Sequence, residues 1–234
     1  MKANASVSQL DLLGLASGGL SANVKSVGAP FLVAIVGGSG SGKTWLAERL
    51  HSVLGSKATR ISLDDFYRDQ SHLSEADRAL LNFDDPDAID WESLERVLLD
   101  LLAGRAAELP CYDFKTHCRE RRVQRLEPKP IVLIEGLWLL HRSSLRQLFD
   151  LKIFIDCPTQ TRLRRRIDRD VELRGRTRAS VEKQFNETVD PMHRNFVAPQ
   201  KRWADVVLPY DLTEYNAREL AERLSKGLTS SRSS

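Results

Sequence analysis

Residues 37–44 read Gly-Gly-Ser-Gly-Ser-Gly-Lys-Thr, set between the apolar run Phe31 to Val36 and the helix-forming segment WLAERL. A loop of this kind wraps phosphate oxygens. Glycine puts no β-carbon in the way, so the backbone N–H groups of Gly37, Gly38, Ser39, Gly40, Ser41 and Gly42 can converge on one anion. Lys43 is placed to reach β- and γ-phosphates, and the Thr44 hydroxyl to hold Mg²⁺. The helix start just after the loop adds unpaired donors and the positive end of a dipole. A nucleoside triphosphate is the expected ligand, while the loop leaves open what receives the phosphate.

Three acidic sites are spaced to work beside it. Asp64 and Asp65 follow an apolar run, and in an open α/β sheet the ligand crevice lies off the carboxyl ends of the strands. Glu135 ends the apolar IVLIE, where a buried acid needs a partner such as Mg²⁺ or lysine. Asp84 and Asp85 sit in the turn-like NFDDPD, where a plain capping role competes with a binding one. The stretch from Arg162 to Arg178 carries eight arginines against Asp168, Asp170 and Glu172. A solvated helix face or a nucleic-acid patch could share this composition, but the glycine within RGRTR favours a lid that folds over phosphates. A helix must turn some of those arginines to water.

These residues need elements to position them. Apolar runs alternate with segments of helical period, which predicts a parallel sheet covered by helices. Strands are expected at Phe31–Val36, Ala58–Leu63, Ile131–Glu135, Leu151–Asp156 and Asp205–Leu208, and helices starting near Lys43, Asp90, His141, Thr159 and Ser180. Asp90 reads as the N-cap of WESLERVLLDLLA and Gly104 as its C-terminal stop. Leu109 to Leu126 has no helical period and reads as an extended hairpin laid over the sheet's edge.

With 234 residues and 41% hydrophobic content, one α/β domain over residues 30–227 is expected, with flexible tails at 1–29 and 228–234. A net charge of +3 does not call for nucleic acid, and no apolar run is long enough to span a bilayer. Three cysteines without a C-x-x-C pair suggest neither a disulfide framework nor a zinc site, so a cytoplasmic setting is the default.

The segments GGSGSGKT, SLDDFYRD, NFDDPDAID, PCYDFKTHCR, IVLIEG, RLRRRIDRDVELRGR and the later PxxxxFVxPxKRWADVVLP resemble, in order and spacing, the uridine kinases (uridine–cytidine kinases) among the P-loop kinases. The resemblance runs from Phe31 to about Pro209. It implies a P-loop kinase fold: a five-stranded parallel sheet flanked by helices, a β-hairpin over the nucleoside and an Arg-rich lid, commonly assembled as a homotetramer. The implied reaction is ATP-dependent phosphorylation of uridine or cytidine on the 5′-hydroxyl. The alternative is a related kinase of another small alcohol: phosphoribulokinase-like, or a pantothenate or nicotinamide riboside kinase.

Carried over by motif, Asp64 becomes the base for the 5′-hydroxyl proton and Asp65 its non-catalytic neighbour. Lys43, Thr44 and Glu135 serve the phosphates and Mg²⁺, with Asp64 close enough to share the metal. Asp84 takes the ribose hydroxyls, Tyr112 and His117 the pyrimidine edge, and Phe83 and Phe114 the aromatic walls. Arg166, Arg169, Arg174, Arg176 and Gln184 close over nucleoside and phosphates. Two departures stand out: YDLTEYNA replaces the Arg-Gly turn and nearby Asn that the family usually places near adenine, and the first 29 residues have no counterpart. The choice of ATP or GTP as donor stays open on those grounds.

Overall fold

The computed structural model describes residues 29–79 and 81–230; most of the first expected tail and the last four residues of the second lie outside them. Among the described residues seven strands form: β1 (Phe31–Gly37), β2 (Ala58–Ser62), β3 (Ala107–Asp113), β4 (Cys118–Leu126), β5 (Ile131–Gly136), β6 (Leu151–Asp156) and β7 (Val206–Pro209). The helices are α1 (Lys43–Leu54), α2 (Glu75–Ala79), α3 (Trp91–Leu102), α4 (Ser143–Leu148), α5 (Thr159–Arg174), α6 (Arg178–Gln184) and α7 (Glu214–Ser230), and from Phe185 the chain runs on through irregular helical turns to Trp203.

Five strands make a parallel sheet in the order β2-β5-β1-β6-β7. Its central strand, β1, is apolar throughout because helices cover both faces. Alternate residues of β1 divide between two cores. Leu32, Ala34 and Val36 pack with α3, the hairpin and Trp138, whereas Val33 and Ile35 pack with α1 and α7. All five expected sheet strands form, with no end shifted by more than a residue, while the helices expected near His141 and Ser180 start at Ser143 and Arg178.

α3 starts as its sequence dictates, with the Asp90 side chain accepting from Ser93 N at 3.1 Å. Gly104 follows in the left-handed region, φ 72°, where the helix has stopped. β3 and β4 pair as an antiparallel hairpin that packs on the turn 63–66 and on α3. One buried polar group that hydrophobic patterning does not reveal locks the far helical run to the segment that follows β5. The Gln200 amide donates to Leu137 O and Phe196 O and accepts from Leu140 N, each at 2.8 Å.

Candidate active site

The carboxyl ends of β1, β2 and β5 bring together the loop, the acids and the lid. In the loop, Gly40 and Gly42 have φ of 80° and 103°, a region closed to most L-residues. No side chain caps α1, so its first N–H groups face the loop. Space is a second reason for glycine here. A β-carbon on Gly40 would lie 2.5 Å from Arg162 O, and one on Gly38 would lie 2.8 Å from Arg162 Cδ and from His193 Nδ1.

Parallel pairing of β2 with β5 sets Ser62 beside Glu135. Glu135 is 4% exposed and accepts from Thr44 Oγ1 and Ser62 Oγ, both at 3.2 Å. Burial holds its pKa up, against the Lys43 charge that pulls it down. Beyond Ser62 the chain turns through Leu63–Phe66, with Asp64 N donating to Ser62 Oγ at 3.3 Å, and so presents Asp64 and Asp65 next to Glu135. Burial first and then the adjacent Asp64 carboxylate push Asp65 up to about 6. Asp64 also raises the pKa of Tyr67, Asp84 and Glu135, and supports the charged form of Arg174. Its charge is therefore felt both at Glu135 beside the loop and at Tyr67 in the aromatic group. A hydroxyl and hard carboxylate oxygens at one spot form a donor set suited to Mg²⁺, which is commonly held by one or two carboxylates together with substrate phosphates.

The aromatic end is built from three segments. Phe83 stacks on His117 with centroids 4.3 Å apart, and Tyr67 meets Phe83, Tyr112 and Phe114 at 5.7, 5.2 and 6.5 Å. The Tyr112 hydroxyl and His117 Nδ1 are buried with no protein partner, so this apolar box carries two polar atoms available to a ligand. Strand alternation does not bring Tyr112 and Phe114 together. β3 bulges between Pro110 and Tyr112 and ends at Asp113, and Phe114 lies in the turn. Asp113 builds that turn by accepting from Lys115 N and Thr116 Oγ1, both at 2.9 Å. His117, at φ 55°, leads the chain into β4. The turn still brings the Phe114 ring to 5.3 Å from Tyr112. Tyr67, part of the quoted SLDDFYRD but given no role, is the buried centre of the box, and its hydroxyl donates to Phe83 O at 2.8 Å.

α5 supplies the arginines. Arg166 donates from Nη1 to Ser39 Oγ at 2.9 Å and from Nη2 to Gln184 Oε1 at 3.1 Å, and Gln184 also accepts from Arg176 Nη1. Arg169 and Arg174 pair with the buried Asp170, and Arg174 lies over the Phe114 ring at 5.8 Å. Burial holds Asp84 up, against Arg166, which faces it. Arg162 and Arg165 serve the loop itself. Arg162 is buried and donates to Asp190 Oδ1 at 2.7 Å, while Arg165 donates to Ser41 O at 3.2 Å and Tyr210 O at 3.1 Å. Spacing on a helix could have revealed these, since Arg162, Arg165, Arg166 and Arg169 recur at intervals of three and four. Arg164 and Arg178 are exposed, and Arg178 pairs with Glu182.

Known proteins resemble this chain in sequence and in fold. The sequence model of the Phosphoribulokinase / Uridine kinase family matches residues 32–214. The chain is 42% identical to a uridine kinase of Brevibacillus brevis over 184 residues, covering 78% of this chain and 86% of that one. It is 38% identical to a uridine kinase of Streptococcus equi subsp. zooepidemicus over 192 residues, 82% and 92% of the two chains. In fold it is similar to a putative fructose transport system kinase from Silicibacter sp., with TM-score 0.66, 23% identity and coverage of 79% and 92%. It is similar too to the phosphoribulokinase of Rhodobacter spheroides, with TM-score 0.59, 20% identity and coverage of 77% and 70%. The family match spans most of the chain, and its relatives keep about two-fifths of their residues along nearly their whole length: this kinase belongs to the phosphoribulokinase/uridine kinase family.

Proposed function

We propose that the protein transfers the γ-phosphoryl group of ATP to the 5′-hydroxyl of uridine or cytidine, giving ADP and the nucleoside monophosphate. The observation that carries this reading is the aromatic box of Tyr67, Phe83, Tyr112, Phe114 and His117, which holds two buried polar atoms with no protein partner. A flat pyrimidine fits between stacking walls, and two polar atoms suffice to read its edge. The names of the relatives point the same way.

In this reading the phosphates lie in the loop against Lys43 and the start of α1, and Asp84 holds the ribose hydroxyls. Arg166 and Gln184 complete the wall between sugar and phosphates, with Arg176 beside them. Asp64 accepts the proton of the 5′-hydroxyl as its oxygen attacks the γ-phosphorus and ADP leaves. Arg169 and Arg174 neutralise charge spread over the transferring group. Thr44, Glu135 and Asp64 would hold Mg²⁺, which neutralises phosphate charge when bound. The protein works in the cytoplasm, a setting supported by three free cysteines, and as a homo-oligomer.

The test is ADP release across nucleosides and small alcohols with ATP and with GTP. Turnover of uridine and cytidine with rejection of adenosine and guanosine is expected. Efficient adenosine turnover, or turnover of a small alcohol in place of any nucleoside, overturns the reading.

A further inference from the structure

Four guanidinium groups of the lid converge on one carboxylate. Asp170, near the end of α5, is 0% exposed. Arg169 Nε lies 2.8 Å and Arg174 Nη1 3.5 Å from its Oδ1, while Arg166 Nε lies 3.5 Å and Arg176 Nη1 3.9 Å from its Oδ2. The main chain tightens the same knot: Asp170 O accepts from the N–H of Gly175 and, at 3.1 Å, from that of Arg176. Three of these arginines also touch the rest of the site, Arg166 at Ser39, Arg174 at Phe114 and Arg176 at Gln184.

A carboxylate and a phosphate offer guanidinium the same acceptors, oxygen pairs that match its planar fork. Four like charges this close splay apart unless an anion holds them. We propose that Asp170 is a positioning residue that stands in for phosphate: it gathers the four arginines in the free enzyme and competes with nucleotide phosphates for them, so that ADP can leave. This rests on the reading above that the lid arginines meet the phosphates.

The competition gives Asp170→Asn an unusual signature. Removing the internal rival tightens ADP binding, while the loss of the gathering anion misaligns the arginines and lowers turnover. A residue that served only the fold would weaken both. ADP affinity is measured by calorimetry, and kcat with ATP and uridine, for the wild type, Asp170→Asn and Asp170→Glu. Asp170→Asn is expected to bind ADP about three- to tenfold tighter and to lose at least about tenfold in kcat. Asp170→Glu, which keeps the charge, should restore ADP affinity toward the wild-type value. Unchanged or weaker ADP binding by folded Asp170→Asn overturns the proposal.

Should the single variant fail to fold, the same change is made in an Arg169→Gln background, which removes one of the four like charges. It is then compared with Arg169→Gln alone, and ADP must again bind tighter without the carboxylate. A wild-type enzyme that does not phosphorylate uridine would sink the substrate assignment but not this comparison, because ADP binding needs only the phosphate loop and the lid.

Discussion

Arg166 Nη1 donates to Ser39 Oγ at 2.9 Å, tying the lid helix to the phosphate loop across 127 positions of sequence. Through Nη2 the same side chain reaches Gln184, and its charge faces Asp84, so one guanidinium links the glycine-rich loop, Gln184 and Asp84. Burial lowers its pKa, which the two neighbouring carboxylates, Asp84 and Asp170, counter.

Lys43→Ala should cut phosphoryl transfer by orders of magnitude without unfolding the protein, because its charge acts on the phosphates. Single-turnover kinetics and a melting curve check this. Near-wild-type turnover in a folded variant would rule out the assigned role.

Asp64→Asn keeps the shape but loses proton acceptance and charge, so kcat should fall on the order of 10² or more, with a smaller change in nucleoside affinity. Asp65→Asn should be mild in kcat. Finding the damage at Asp65 instead would move the base by one residue.

Asp65 also gives a pH signature. Its folded pKa, about 6, lies above the ordinary carboxylate value of 3.8, so the folded state binds this proton more tightly than the unfolded state does. Its contribution to stability is therefore most favourable at low pH and is lost as pH rises through about 6. Asp65→Asn should raise the melting temperature at pH 7.5 by about 2–4 °C, a modest gain because solvent screens this half-buried group, and the difference should vanish near pH 4. A pH-independent difference in melting temperature would refute this.

His117→Ala should raise KM for uridine far more than KM for ATP, since its imidazole belongs to the aromatic box and not to the phosphate end. Tyr112→Phe should raise KM for uridine as well, yet leave the free protein no less stable, because the hydroxyl it removes is buried without a partner. Steady-state kinetics with each substrate varied, together with melting curves, separate the two effects. Unchanged uridine KM in both variants would take the base out of this box.

Gly136→Ala tests the join between β5 and the acids. A β-carbon there would lie 2.4 Å from Leu63 Cβ, and Leu63 precedes Asp64, so the turn must move. A stability loss of about 1–3 kcal/mol and a fall in kcat exceeding any change in nucleotide affinity are expected. Urea unfolding and ADP titration would show this. Wild-type kcat in the variant would mean that the turn tolerates the shift.

The sequence by itself determined the phosphate loop, the sheet strands and the arginine-rich helix, because each rests on short-range chemistry: glycines where no β-carbon fits, apolar runs between helical periods, and an N-cap three residues ahead of its donor. The glycine within RGRTR pointed to the lid, and motif resemblance put Tyr112 and His117 forward as base-binding candidates. Partner choice was not legible. Asp170 was only one acid among eight arginines until α5 and the segment after Gly175 folded around it, and Tyr67 had no role until Phe83, Tyr112 and Phe114 closed on its ring. Helix spacing separates Arg162 and Arg165 from the solvent-facing Arg164, but that they meet the loop and Asp190 came only with the packing of α5. Phe114 reached Tyr112 through a bulge and an Asp113-built turn, not through strand alternation. Periodicity along a chain encodes which face is apolar, but which polar groups meet across 50 or 100 residues depends on the packing of whole elements, and only the tertiary structure fixes that.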